Sequence, residues 1–218
     1  MPFTGAQVET FDEVPSRLFH LRAHMFGVPL DVLHVFTGAS ASIRVTLGGV
    51  LPIADARGPE MDRSETVTVF NGLCVIAPAA LLDATIGWHQ IDEHDVRGTY
   101  TRGHQTVRAE LTFDDDGDLI DFTSEDRLRA SADGKNFTPQ AWSTPIGDYR
   151  TIGDRRIATT GAARWRPPDT PGAFTYLEFT LDELVYNTCT TAFIREHGAP
   201  HEQRSLAVAP PPGRTIRR

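Results

Sequence analysis

The chain has 218 residues and a formal net charge of -8, with 29 acidic against 21 basic residues. That balance excludes a general affinity for nucleic acid, which needs a clustered excess of Lys and Arg. The length suits one domain that buries roughly 70% of the surface its unfolded chain would expose, and no window reaches the roughly 18 apolar residues of a membrane span.

In chain order, residues 1–16 read as a polar lead without a signal-peptide pattern. Arg17 to Phe26 then alternates Phe19, Leu21, Ala23 and Met25 against His20, Arg22 and His24, the period of a strand. Gly27-Val28-Pro29 breaks it, and Asp31 to Phe36 and Ser40 to Leu47 form two further strands, closed by a bulge or turn at Gly48-Gly49. From Gly58 the pattern changes. Asp62 followed by Glu65 resembles a capping box, and Val67, Phe70, Leu73 and Cys74 recur at helical spacing. Asn71-Gly72 weakens the centre of this helix, and Pro78 predicts a break near Ala77 with a second short turn through Ala79 to Asp83.

Strands return with Thr85 to Ile91, which carries Trp88, and with Val96 to Arg102. Thr106 to Arg129 is the most sharply specified stretch. A two-residue turn at Asp116-Gly117 would set Phe113 opposite Ile120, Leu111 opposite Phe122 and Arg108 opposite Glu125, whereas a one-residue slip would oppose Glu110 to Asp121. Lys135 to Thr138 reads as a turn or irregular connection. Trp142 to Ile152, Arg155 to Trp165 and Phe174 to Tyr186 complete the strands, with Pro167 to Gly172 as punctuation. The domain spans 17–196, and residues 197–218, ending in the basic run Arg214 to Arg218, read as a disordered tail. The order of elements predicts a mainly β fold, a curved antiparallel sheet or half-open barrel with one or two helices on its concave face.

Chemistry-bearing motifs are sparse. His20 and His24 share a strand face about 13 Å apart, too far for one metal ion, and His89 and His94 lack the spacing of a helical zinc motif. The run Asp114 to Asp118 has Gly117 misplaced for a calcium loop and suits a hairpin turn. Cys74 and Cys189 have no metal-knuckle or redox spacing and read as reduced thiols of a cytoplasmic protein. No phosphate loop, dinucleotide fingerprint or nucleophile elbow is present, and no metal or cofactor is implied. Asp126, on the face of Phe122 and Leu128, needs Arg or backbone donors if that face is buried.

Gly27-Val28-Pro29, GPEMDRSETVTVFN from Gly58, Ala77-Pro78, W-H-x-I-D from Trp88, FDDDGDLIDFTSEDR from Phe113 and GDYRTIGDRRI from Gly147, followed by Trp165, occur together in one order. In this the chain resembles a bacterial family of proteins of unknown function, DUF6544, over roughly Arg17 to Asn187. The resemblance implies a curved sheet like that of lipoprotein carriers such as LolA and carries no activity or catalytic residues with it. Family members usually begin with a further helix and strands, where this chain has a short lead. That departure implies an open sheet edge for a partner strand or a homodimer.

The reading that follows is a protein that binds a small apolar or amphipathic ligand between sheet and helices. Trp88, Trp142, Tyr149 and Trp165 would form the walls and Arg127 an anchor for a carboxylate. The alternatives are an enzyme using Asp126 or Glu125 as base beside Arg127, and an interaction module built on an unpaired edge.

Overall fold

The structure, a computed structural model, describes residues 1–82, 84–167 and 172–187 and the backbone of 205–209. It is mainly β, with antiparallel meanders, one α-helix and no closed barrel among the described residues. Apart from a two-stranded ribbon, the strands divide between two sheets that clamp the helix.

The first sheet is the meander β1 (Phe3–Thr10), β2 (Ser16–Met25), β3 (Val28–Thr37), β4 (Ser40–Leu47) and β5 (Leu51–Arg57). Residues expected as a polar lead thus form β1, which pairs along its whole length with β2 and buries Val8 and Glu9. The expected strands at Arg17, Asp31 and Ser40 are β2 to β4; β5 was not expected because Pro52 and a bulge after Val45 blur its alternation. Helix α1 (Pro59–Val75) follows, then a 3-10 turn over Pro78–Leu82, so the chain breaks where Pro78 predicts. The helix starts at Pro59 rather than Asp62, because Gly58 at φ 102 turns the chain into a proline suited to the first helical position. Asp62 is no cap: its Oδ1 accepts the Ala41 N–H at 2.6 Å.

The second sheet contains β6 (Ile86–Gln90), β7 (Asp95–Arg102), β8 (Gln105–Phe113) and β9 (Leu119–Ser124), then β12 (Ala141–Ser143), β13 (Ile146–Ile152), β14 (Arg155–Arg166) and β15 (Phe174–Thr180). The residues read as an irregular connection at Lys135 contribute to a ribbon of β10 (Leu128–Ala130) and β11 (Phe137–Pro139). The central hairpin keeps the predicted pairing of Leu111 with Phe122. Nearer the turn, a bulge pairs Phe113 with Leu119 instead of Ile120, because Asp114 Oδ1 accepts the N–H groups of Asp116 and Asp118 and lengthens the turn.

The last expected strand is divided into β15 and β16 (Leu184–Tyr186). In the tail, Ser205–Ala209 is strand β17, parallel to both β16 and β1. The edge expected to lie open beside the N-terminal segment is therefore paired on both sides of β1. The rest of the predicted tail, and Cys189, lie outside the described residues.

The helix packs on β4 and β5 of one sheet, on β8 and β9 of the other, and on β10 of the ribbon. It is buried around most of its circumference, as a helix between two sheets must be. Toward the second sheet Phe70 stacks on Tyr100 at 5.3 Å and meets Phe122 edge-on at 5.4 Å. Gly98 lacks a side chain because a methyl there would overlap Phe70 and Trp88. Toward the first sheet the helix adds to this apolar packing a buried carboxylate, Glu65.

Candidate functional site

Glu65 is fully buried, and Arg17 NH1 donates to its Oε2 at 3.0 Å from β2. His34 Nδ1 lies 3.3 Å from Oε1, and Arg127 NH2 approaches the same oxygen at 3.7 Å. Burial pushes the Glu65 carboxyl up, but Arg17, His34 and Arg127 outweigh it and hold it well below the usual carboxylate range. Glu9, its neighbour across Arg17, is 1% exposed, with Oε1 3.0 Å from Arg17 Nε and accepting Gln7 Nε2 at 2.6 Å. Its other oxygen, Oε2, is buried without a hydrogen-bond partner against Gly72 of the helix. Burial raises the Glu9 carboxyl to about 7, with the Glu65 charge adding to the rise and Arg17 opposing it. One guanidinium cannot neutralise two buried carboxylates, so Glu65, with three basic partners, keeps its charge and Glu9 takes up a proton more readily.

The sequence-predicted residues divide. Arg127, Trp142 and Trp165 come together: Trp142 and Trp165 are a cross-strand pair, and the Arg127 guanidinium carbon lies 4.2 Å and 5.4 Å from their ring centroids. The fourth member is Tyr176, which the bulge in β15 leaves between the pairs Ala163–Leu177 and Arg164–Thr175. Its hydroxyl oxygen accepts both Arg127 NH1 and Trp142 Nε1 at 3.1 Å, and its ring stacks on Trp165 at 6.0 Å. The guanidinium lies over both indole rings. Trp88 and Tyr149 are elsewhere. Trp88 is half exposed on the edge strand β6 beside Phe70, and Tyr149 donates its hydroxyl to the Leu119 carbonyl at 2.8 Å under Arg156.

Asp126 is only partly buried, and its carboxylate is held by donors: Oδ2 accepts the Arg108 N–H at 2.7 Å and Oδ1 pairs with Arg63. Glu125 is exposed. His20 pairs with Asp31 at 3.2 Å, and among the described residues no group of three or more His, Cys, Asp or Glu side chains is placed to hold a metal ion. Burial pushes the Cys74 thiol up, which leaves it protonated and unreactive.

A second feature escaped the sequence. Register places the inner-face residues of the first sheet in rows across its strands. Glu9, Arg17, Phe36 and Ala41 form the row under α1; Gln7, Phe19, His34 and Ile43 form the next. Beyond them run Gly5, Leu21, Val32, Val45 and Ala54, then Phe3, Ala23, Leu30, Leu47 and Leu51. On this face most of the buried core lies at the first row; beyond it Ala56, beside Ile43, and Ala23, in the outermost row, are also buried. Leu21, Leu30, Val32, Val45 and Leu47 are only half buried. The face therefore grades from charged to apolar. Alternation announced these side chains as inward-facing, but nothing in a period of two says how far a helix covers them. A separate open depression of about 600 Å³ between β5 and the β10–β11 ribbon is lined by Asp55, Arg57, Glu60 and residues 134–137, and holds none of the predicted site residues.

Two mainly antiparallel sheets closed on one helix through a shared buried carboxylate define a mainly β protein with a charged centre and a partly bare inner face. The chain belongs to the family of unknown function DUF6544, whose family model matches residues 1–179 and so includes β1, ahead of the Arg17 at which the sequence resemblance begins. No curated protein and no solved structure matches it. Among the described residues, no helix is long and apolar enough to cross a membrane.

Proposed function

We propose that the protein binds a small apolar or amphipathic molecule on the inner face of its first sheet. The observation that carries this is the run of half-buried apolar side chains, Leu21, Leu30, Val32, Val45 and Leu47, continuous with His34 and Gln7 at its polar end. Three rows at two residues each span about 13 Å along the strands, and five strands span about 19 Å across them. That area accommodates a medium acyl chain or a fused ring system, whose polar end would lie toward His34. The expected likeness to lipoprotein carriers such as LolA belongs to the same reading, as does cytoplasmic binding of a metabolite.

The test is fluorescence titration with anilinonaphthalene sulfonate, followed by displacement with a fatty-acid panel. Val32→Thr with Val45→Thr keeps the β-branched shape and adds hydroxyls to the floor. The double variant is expected to lose about tenfold in affinity while its melting curve stays close to that of the parent. Unchanged affinity contradicts the assignment.

A second reading puts a ligand carboxylate at Arg127, whose Nε is buried without a hydrogen-bond partner and whose guanidinium lies over Trp142 and Trp165. It requires the guanidinium to leave Glu65. Affinity lost in Trp142→Phe and kept in the double Thr variant would select it.

A further inference from the structure

The third apolar row of the first sheet ends in two hairpin tips that stand side by side. At the β2–β3 turn, Phe26 and Gly27 have φ values of 51° and 81°, the pair of left-handed residues of a type I′ turn. Asn, Asp and Gly suit those positions, and a bulky aromatic at positive φ is an outlier. Phe26 gains no burial for that strain, being 99% exposed. At the β4–β5 turn, Val50 is 85% and Leu51 is 56% exposed. Gly48 N–H donates to the Pro29 carbonyl at 2.8 Å and joins the two tips into one unit. Neither 25–30 nor 45–54 contains a charged residue. The nearest charges behind the tips are paired, Arg22 with Asp31 at 2.9 Å and Arg44 with Asp55 at 3.3 Å.

We infer that this tip is a docking surface that inserts Phe26, Val50 and Leu51 into the interfacial region of a zwitterionic lipid bilayer. A protein partner or a second copy fits less well, because a stable protein interface takes about 20–30 residues a side and the tip offers only Phe26, Val28, Val50, Leu51 and Ile53 as exposed large apolar groups. A bilayer needs no matching area: each apolar side chain gains by its own transfer out of water. Paired charges behind the tip leave nothing to attract anionic headgroups selectively, which sets zwitterionic lipid as the occupant. The inference rests on the tips alone and stands whether or not the inner face holds a ligand.

The experiment is flotation of the full chain with phosphatidylcholine vesicles, repeated with vesicles carrying phosphatidylserine and at roughly 0.5 M salt, where charge attraction is screened within a few ångströms. The parent is expected to float on both vesicle types alike and to keep doing so in salt. Phe26→Asn relieves the positive φ and is expected to melt at or above the parent temperature, yet to bind about tenfold more weakly. Val50→Ser should weaken flotation in the same direction. Failure of the parent to float on phosphatidylcholine overturns the inference, as does binding confined to anionic vesicles and lost in salt. Flotation of Phe26→Asn equal to the parent also overturns it. A concentration-dependent dimer in sedimentation that Phe26→Asn abolishes assigns the tip to a second copy instead.

Discussion

Arg17 on β2 and Glu65 on α1 meet at 3.0 Å with both side chains buried, and this contact ties the first sheet to the helix. Removing one member of a buried pair leaves an uncompensated charge, which costs far more than the pair contributes over an apolar alternative. Arg17→Met, which strands both Glu9 and Glu65, is expected to lower stability by about 3–5 kcal/mol in urea unfolding. Arg17→Met combined with Glu65→Leu should recover part of that loss. A single variant as stable as the parent would remove the charge centre from the account.

The two carboxylates predict opposite pH slopes. Glu9, raised from 4.5 to about 7, binds its proton more tightly folded than unfolded, so ionisation opposes folding between those values. Stability is expected to fall by about 3 kcal/mol from pH 4.5 to 7 and to level off above. Glu65 is depressed, so its contribution is present above the ordinary carboxylate pKa and is lost as pH falls below it. Urea midpoints across pH 3–8 should pass through a maximum near the lower end of the Glu9 window. Glu9→Gln should flatten the slope above that maximum and leave the acid side in place.

Gly72→Ala separates helix propensity from packing. Alanine favours a helix interior by about 1 kcal/mol over glycine, but a methyl here would overlap the Glu9 carboxylate. The variant is expected to be less stable than the parent by about 1–3 kcal/mol, measured as a shift in urea midpoint. A more stable variant would mean that the helix does not sit against Glu9.

The two tryptophan environments should respond unequally. Trp142 is 4% exposed, with Arg127 over its face and Phe122 at 6.2 Å, so Trp142→Ala is expected to cost about 3–5 kcal/mol. Trp88→Ala, at 44% exposed, should cost about 1 kcal/mol. Equal losses would place both residues in the same core.

Legibility in the sequence followed the range of each interaction. The Leu111–Phe122 register, the strands β2 and β4 and the break at Pro78 depend on neighbours within one hairpin or one turn, and all could be read. The family was legible from the order of short motifs that include them. Glu65 was not, because an acid three residues after Asp62 has the form of a helix cap, and only Arg17 and His34, far away in sequence, make it a buried partner. Asp126 was legible as a carboxylate needing donors, though Arg63 as one donor was not. The division into two sheets and the bare inner face depend on where α1 lies, which no local period encodes.

The most direct measurement of the central claim is native mass spectrometry of freshly purified protein, with denaturing extraction of any small molecule carried along. A reproducible added mass of an apolar or amphipathic compound is expected, retained in Trp88→Ala and lost in Val32→Thr with Val45→Thr. An apo mass throughout, with no stabilisation by a fatty-acid and metabolite panel, would contradict it.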